Sequence, residues 1–479
     1  MDPSEFRRHG HALVEWIADY LGNSDKYPVL PRVAPGDVRD ALPDLPPEAG
    51  EPFEKIFADF ERVLVPALTH WNHPGFFAYF PATTSASGVL AEFLSAALNQ
   101  QAMLWKTSPA ATELEDVSLT WLRRLLGLPG AFDGVIYDTA SISSLHALAA
   151  ARQCAVPDVR ERGLAARTDV GALRIYCSEQ AHSSIDKAVL TLGLGQASLR
   201  KIAVDAAFAM KADALRAAID EDRHAGVTPV AVVATIGTTS STAVDPVAAI
   251  ARICREHHVW LHVDAAYAGV TAMLPECASH FAGWDDADSI VVNPHKWLFT
   301  PFDLSAFYCR RMDVVREAFS LVPEYLKTSE GTAGVRNLMD SGIQLGRRFR
   351  SLKLWMVLRH FGSERLRTVL REHIRLAHEF AARVDEHPDF ERLAPVPFAT
   401  VCFRAKPQAV SLTAPELDRF NERLLDAVNA GGEVFLSHTR LNGAFAVRMA
   451  IGHLRTTSVH TGRAWRLLLE HTAALARAR

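Results

Sequence analysis

From about residue 85 to residue 345, short apolar runs alternate with amphipathic helical stretches, and the runs end in polar residues. Residues 134–137, 173–177, 230–236, 259–263 and 289–292 each have the length and β-branched content of one strand. A helix is expected over residues 143–152. Asp245 is expected to cap another, with Pro246 at its first position. A chain that alternates in this way has few solutions. The favoured one is a mostly parallel sheet covered by helices on both faces. Ligands of such sheets sit beyond the carboxyl ends of the strands. The polar residues of this chain cluster at those ends.

The flanks read differently. Residues 5–22 form an amphipathic helix with Phe6, Leu13, Trp16, Ile17, Tyr20 and Leu21 on one face. A proline-rich connector follows, from Pro28 to Pro52. A second helix then places Phe53, Ile56, Phe57, Phe60, Val63 and Leu64 on one stripe. Both faces must be buried, against a partner subunit or against the main domain. Toward the other end, a helix over residues 415–429 stops at Gly431-Gly432. Strand-like runs follow at 433–437 and 445–451, then a helix from about residue 459. With 479 residues the chain is too long for one simple core. The expected division is an N-terminal helical arm over 1–84, a large α/β domain over 85–345 and a small α+β domain over 346–479.

Several function classes are disfavoured. The net charge is −4, and the basic residues form no run, so nucleic acid is not expected as a partner. No stretch approaches the roughly 18 apolar residues of a membrane span. Asp2, Glu5, Glu15 and Asp19 interrupt the N-terminal apolar face, unlike a secretory signal. The six cysteines are far apart, which suits reduced thiols in the cytoplasm and neither a disulfide framework nor a metal site.

The segment Asn293-Pro294-His295-Lys296-Trp297 directly follows an apolar strand. Partial desolvation at a strand end lowers the pKa of a lysine and makes it a Schiff-base nucleophile. On its own, Lys296 reads better as a lysine that snorkels from a loop. Asp264 ends the strand before it, in His262-Val263-Asp264-Ala265-Ala266-Tyr267-Ala268-Gly269. A carboxylate followed by small residues suits a flat heteroaromatic ring lying against the backbone, with the acid keeping the ring nitrogen protonated. The alternative is a helix cap or a surface ion pair. Tyr137-Asp138-Thr139-Ala140-Ser141 joins a strand to a helix, and helix N-termini bind phosphate.

These motifs resemble the group II pyridoxal-phosphate decarboxylases, closest to the aromatic-L-amino-acid decarboxylases. The resemblance extends to Phe76-Phe77-Ala78-Tyr79-Phe80-Pro81, Gln180-Ala181-His182-Ser183-Ser184, Gly237-Thr238-Thr239 and Leu345-Gly346-Arg347-Arg348-Phe349-Arg350. It covers most of the chain in order. It implies a fold-type I transferase-like architecture, a homodimer and pyridoxal 5'-phosphate as cofactor. Lys296 would carry the cofactor and Asp264 would bind its ring nitrogen. His182 would stack on the ring and help protonation, with Ala266 on the other face. Thr239 would bond near the ring hydroxyl. Thr139, Ala140 and Ser141 would hold the phosphate, with Asn293 and His295 nearby. Asp138 departs from the pattern, standing where many relatives carry glycine.

A second departure concerns the reaction. Relatives carry a proton-delivering tyrosine in a loop before Leu345-Gly346. Residues 324–342 have the composition of that loop, but the tyrosine position falls on Leu338. In such relatives, loss of this tyrosine accompanies oxidative deamination to an aldehyde. Trp71, Tyr79, Phe80, Pro81, Gln101, Met103 and Leu104 are expected to line a pocket for an aromatic amino acid, although such residues also serve as ordinary core. Decarboxylation to the amine, aldehyde formation, another reaction of this fold, and a silent relative acting as a binding protein all stay open at this point.

Overall fold

The computed structural model describes residues 1–321 and 335–478. The chain forms two compact units. One comprises residues 82–375 and 394–400; the other comprises residues 1–81, 376–393 and 401–479.

The larger unit is built on a seven-stranded sheet. Its strands are β1 (Asp133–Tyr137), β2 (Leu173–Ser178), β3 (Leu199–Ile202), β4 (Thr228–Thr235), β5 (Trp260–Asp264), β6 (Ser289–Val292) and β7 (Ser305–Cys309). The order across the sheet is β1-β7-β6-β5-β4-β2-β3. β7 runs antiparallel to both of its neighbours, and the other pairings are parallel. The carboxyl ends of β1, β2, β4, β5 and β6 therefore share one edge. Every residue of β5, β6 and β7 is buried, and each buried Val or Ile stabilises the fold by roughly 1.5–3 kcal/mol. The helix Ala140–Ala155 lies on one face, and Ala147, Ala149, Ala150 and Ala151 are buried along it. Their small side chains let it approach the strands closely.

The elements expected from the sequence form, with shifted ends. The helix expected at residues 143–152 is longer, running from Ala140 to Ala155. β3 and β7 were not anticipated; β3 carries charged residues and β7 has a serine and a cysteine at its ends. Asp245 is not a helix cap. The helix Val247–His257 starts after Pro246. The buried Asp245 carboxylate accepts the backbone N–H groups of Met210 (2.7 Å) and Thr235 (2.8 Å). Burial raises its pKa to about 6.

The smaller unit contains the sheet order β10-β11-β9-β8. Its strands are β8 (Phe390–Arg392), β9 (Thr400–Ala405), β10 (Ser437–Leu441) and β11 (Ala444–Ala450), although Thr400 itself falls in the larger unit. The β10–β11 hairpin turns at Asn442-Gly443, both at positive φ, as a tight hairpin turn requires. The strand expected at 433–437 forms four residues later. Residues 433–436 instead carry a bridge from Phe435 to Phe76. Two helices, Ala414–Ala430 and Ser458–Arg477, cover this unit's sheet and each other.

The N-terminal helix Pro3–Gly22 begins in a capping box, in which Asp2 accepts from Ser4 and Glu5 and Glu5 accepts from Asp2. Part of its apolar face packs on the helix Phe53–Asp59 and the turns after it. Trp16 lies 6.2 Å from the Phe57 ring and 5.3 Å from Phe60. Phe6, Val14 and Ile56 remain exposed. Among the described residues, no helix is long and apolar enough to cross a membrane.

Candidate active site

Asp264 is the last residue of β5, in register with Thr235 of β4 and Val291 of β6. Three adjacent parallel strands thus end together. Asp264 is buried, and its Oδ1 accepts the N–H of Ala266 at 3.1 Å. Ala265 and Ala266 are buried behind it. The chain leaves β6 through Asn293, and Lys296 lies in the helical turn Pro294–Trp297. Two contacts hold this turn beside the segment after β5. The N–H of Asn293 donates to the Ala266 carbonyl at 3.1 Å. The Tyr267 and Trp297 rings stack at 4.8 Å, with planes 3° apart. The Trp297 indole donates to His373 Nδ1 at 2.9 Å. Glycines permit these approaches. A side-chain carbon at Gly269 would meet Val292, and Gly237, at φ 87°, would meet Ala268.

His182 follows β2 and is solvent-exposed at the same edge. Its Nδ1 accepts the backbone N–H of Ser184 at 3.1 Å, so the neutral ring carries its proton on Nε2. Partial desolvation lowers its pKa; the charge of Asp264 opposes the shift, and that of Lys296 adds to it. The three groups expected to act on one ligand therefore sense each other's charge. His295 Nδ1 accepts the Leu304 N–H at 2.8 Å. Burial, aided by the Lys296 charge, brings its pKa to about 3, and it braces the lysine turn as a neutral ring. Thr238 turns its hydroxyl inward to the Ala243 N–H, whereas Thr239 is exposed on the turn after β4.

Beyond β1, Asp138 Oδ1 accepts both the N–H (2.5 Å) and the hydroxyl (3.2 Å) of Thr139. The Asp138 carboxylate is folded back on its own turn and occupies both donors of Thr139. The first two amides of the helix, Ala140 and Ser141, have no acceptor within it. They and the exposed Ser141 hydroxyl remain for an anion.

The pocket-wall residues divide between the units. Gln101, Met103 and Leu104 belong to the larger one. Gln101 Oε1 accepts the Arg347 N–H at 2.6 Å, and Leu104 and Met103 pack on Met339. Trp71, Tyr79, Phe80 and Pro81 belong to the smaller one. There Arg448 stacks over Phe80 at 4.5 Å, Tyr79 and Trp71 rings lie 5.9 Å apart, and Pro81 closes on Gly452. Most of the expected loop, residues 322–334, lies outside the described residues. Leu338 is described, and it is buried in the apolar core with Val135, Tyr137, Phe307 and Val315.

The donor set fits pyridoxal phosphate. A lysine is available for its carbonyl carbon, a buried carboxylate for its ring nitrogen, alanines for its flat face and free helix amides for its phosphate. Asn293 Oδ1, at the same edge, is buried without a hydrogen-bond partner among the described residues, as expected of an atom reserved for a ligand. A model of the pyridoxal-dependent decarboxylase conserved domain matches residues 35–406. The chain belongs to the pyridoxal-dependent decarboxylase family. It is thus a pyridoxal-phosphate-dependent carboxy-lyase. The family member is 41% identical to phenylacetaldehyde synthase of Arabidopsis thaliana, over 99% of this chain and 97% of the relative. It is 37% identical to tyrosine decarboxylase of Papaver somniferum, over 99% and 96%. The crystal structure of Oryza sativa TDC with PLP and tryptamine superposes with a TM-score of 0.95 at 36% identity, covering 99% of each chain.

A cavity of about 710 Å³ opens at the opposite edge of the sheet, lined by Thr228, Trp260, Asp288 and Arg311 among others. It shares no residue with the decarboxylase site. Sequence reasoning missed His262, Trp297 and His373 as supports of that site. For His262 the signal was present, since it stands two residues before Asp264 and shares its strand face.

Proposed function

We propose that the protein decarboxylates an aromatic L-amino acid to the corresponding amine and carbon dioxide, with phenylalanine, tyrosine, DOPA and tryptophan as candidate substrates. The observation that carries this reading is the meeting of Lys296, Asp264 and His182 at one sheet edge, in a chain alignable end to end with relatives named for aromatic substrates or products. Pyridoxal phosphate supplies the electron sink that accepts the pair released with carbon dioxide. The protein's own residues do the rest. Lys296 would hold the cofactor by its carbonyl carbon, and Asp264 would face its ring nitrogen. Asp264 holds the proton on the ring nitrogen. His182 Nε2–H is the donor available to return a proton to the substrate Cα. Gln101, Met103 and Leu104 of the larger unit are the residues we assign to the aromatic ring of the substrate.

A second outcome is favoured by the likeness to a phenylacetaldehyde synthase, 41% identical to this chain. There the electron pair passes to dioxygen. The balance is amino acid, dioxygen and water giving aldehyde, carbon dioxide, ammonia and hydrogen peroxide.

The active form is a dimer of this chain, with residues 1–84 as the dimerisation arm. Leu90, Phe93, Leu94 and Leu98 are exposed on the helix Ala86–Leu98, and Phe6, Val14 and Ile56 are exposed on the arm. Apolar faces of this kind suit a second copy. Sedimentation of the full chain and of Leu94→Glu checks this; a monomeric wild type overturns it.

The deciding experiment supplies the loaded enzyme with single L-amino acids in air and identifies products by mass spectrometry. Amine without peroxide establishes the decarboxylase. Aldehyde with stoichiometric ammonia and peroxide establishes the second outcome. No turnover of any aromatic amino acid overturns both.

A further inference from the structure

His262 is fully buried on β5, two residues before Asp264 and on the same face of the strand. Its Nδ1 lies 2.9 Å from Ser289 Oγ, on the first residue of β6. Its Nε2 lies 3.1 Å from Ser144 Oγ, in the first turns of the helix Ala140–Ala155. Ser289 Oγ also accepts the indole N–H of Trp260 at 2.9 Å. One imidazole therefore joins three elements, and each carries part of the cofactor site. β5 ends in Asp264, β6 leads to Lys296, and the helix begins with the free amides of Ala140 and Ser141.

Pyridoxal phosphate carries its ring nitrogen and its phosphate arm at separate positions of one flat ring. A protein that grips both must fix the distance between the two grips, and an error of about half an ångström is already costly. Strand and helix belong to different layers, so no ladder hydrogen bond fixes their relative position and side-chain links must do it. We propose that His262 is a positioning residue for the cofactor, setting the spacing between the Asp264 carboxylate and the phosphate turn at residues 139–141.

The electrostatics agree with this role. Burial holds the His262 ring at about 4, against the pull of the Asp264 charge. His182 is lowered too. Asp264 therefore stands among neutral imidazoles at pH 7, and its charge is left for the ring nitrogen. Apolar filler at position 262 would pack equally well but would leave the hydroxyls of Ser144 and Ser289 without this partner.

The test separates positioning from mere packing. Gln at position 262 reaches the place of Nε2 and keeps the link to Ser144. Asn reaches only toward Ser289. Ser144→Ala breaks the same link from the helix side and leaves the imidazole in place. Pyridoxal-phosphate affinity is measured by equilibrium dialysis of the full-length holoenzyme, alongside its thermal midpoint and the absorption band of the bound cofactor. The expected result is about tenfold weaker binding for Ser144→Ala and His262→Asn, and a loss within about threefold for His262→Gln. Wild-type affinity in both Ser144→Ala and His262→Asn overturns the proposal. So does a loss of affinity in all three variants that follows the thermal midpoint alone, with Gln no better than Asn.

Discussion

His182 Nδ1 accepts the backbone N–H of Ser184, and this one contact settles which nitrogen of the neutral ring bears the proton. The proton sits on Nε2, leaving that atom for the reaction. His182→Phe keeps an aromatic face for the cofactor and removes the proton. Amine formation should fall by about 10²–10⁴-fold, the usual contribution of a positioned general acid. Cofactor content, read from absorbance, should stay near wild type. A variant that turns over within a few-fold of wild type would show that water or another group delivers the proton.

Leu338 is buried in the apolar cluster that also holds Val135, Tyr137, Phe307 and Val315, and its chain neighbours are fastened by hydrogen bonds. Tyr137 donates its hydroxyl to the Ser341 carbonyl, and the Met339 N–H donates to Met103 at 3.1 Å. Asp340 accepts from Ser320 at 2.9 Å. Leu338→Tyr would force a larger ring and a hydroxyl into apolar surroundings. A loss of about 1–3 kcal/mol is expected, visible as a lower thermal midpoint. The ratio of amine to aldehyde should not change, because a residue pinned in the core cannot reach the substrate. A shift toward amine would mean that this segment leaves the core during turnover.

The layout of the larger unit was legible because buried parallel strands must be apolar and must end in the ligand-bearing residues. Lys296 and Asp264 were readable for that reason. β7 was not, because its serine, tyrosine and cysteine dilute the apolar signal that the neighbouring strands supply in space. Asp245 misled because Asp-Pro before a helix reads as a cap, whereas its true partners, Met210 and Thr235, lie 35 and 10 residues away in the chain. Asp138 stands where many relatives carry glycine, and an acid there would repel a phosphate unless it points away. Its carboxylate is turned onto Thr139, a local choice that composition does not encode.

Three buried histidines of the larger unit should make the fold acid-sensitive. Burial brings His146 to about 3, His262 to about 4 and His295 to about 3. Unfolded, each takes a proton near its ordinary pKa of about 6.5. Their lowered pKa values leave stability intact above pH 6.5. Stability is then lost as pH falls toward the folded values, because the unfolded chain binds more protons. Each contributes a slope of up to about 1.4 kcal/mol per pH unit. Asp245, raised to about 6, has the opposite sign and offsets part of one histidine. Thermal midpoints from pH 7.5 to 5 should fall steadily, and His146→Gln should flatten the slope. A flat profile in the wild type would mean these rings are not neutral in the folded state.

Arg347 and Glu115 form a buried ion pair at 2.8 Å along the outer side of β1. Among the described residues β1 has one strand neighbour, so the outward backbone groups of Ile136 have no ladder partner there. The pair takes that place. Glu115 Oε1 accepts the Ile136 N–H at 2.8 Å, and Arg347 Nη2 donates to the Ile136 carbonyl at 2.7 Å. Ile136 is two residues before the Asp138 turn, so the pair anchors the strand that presents the phosphate turn. Arg347→Met leaves a buried carboxylate without its cation and should cost about 3–5 kcal/mol. Glu115→Gln keeps an acceptor for Ile136 but strands the guanidinium, and a similar loss is expected. The double variant buries no unpaired charge, so its loss should be smaller than the sum of the two by more than about 1 kcal/mol. Thermal unfolding of the four proteins reads this coupling directly. Additive losses would mean that the two charges are solvated separately and that Ile136 is held by other contacts.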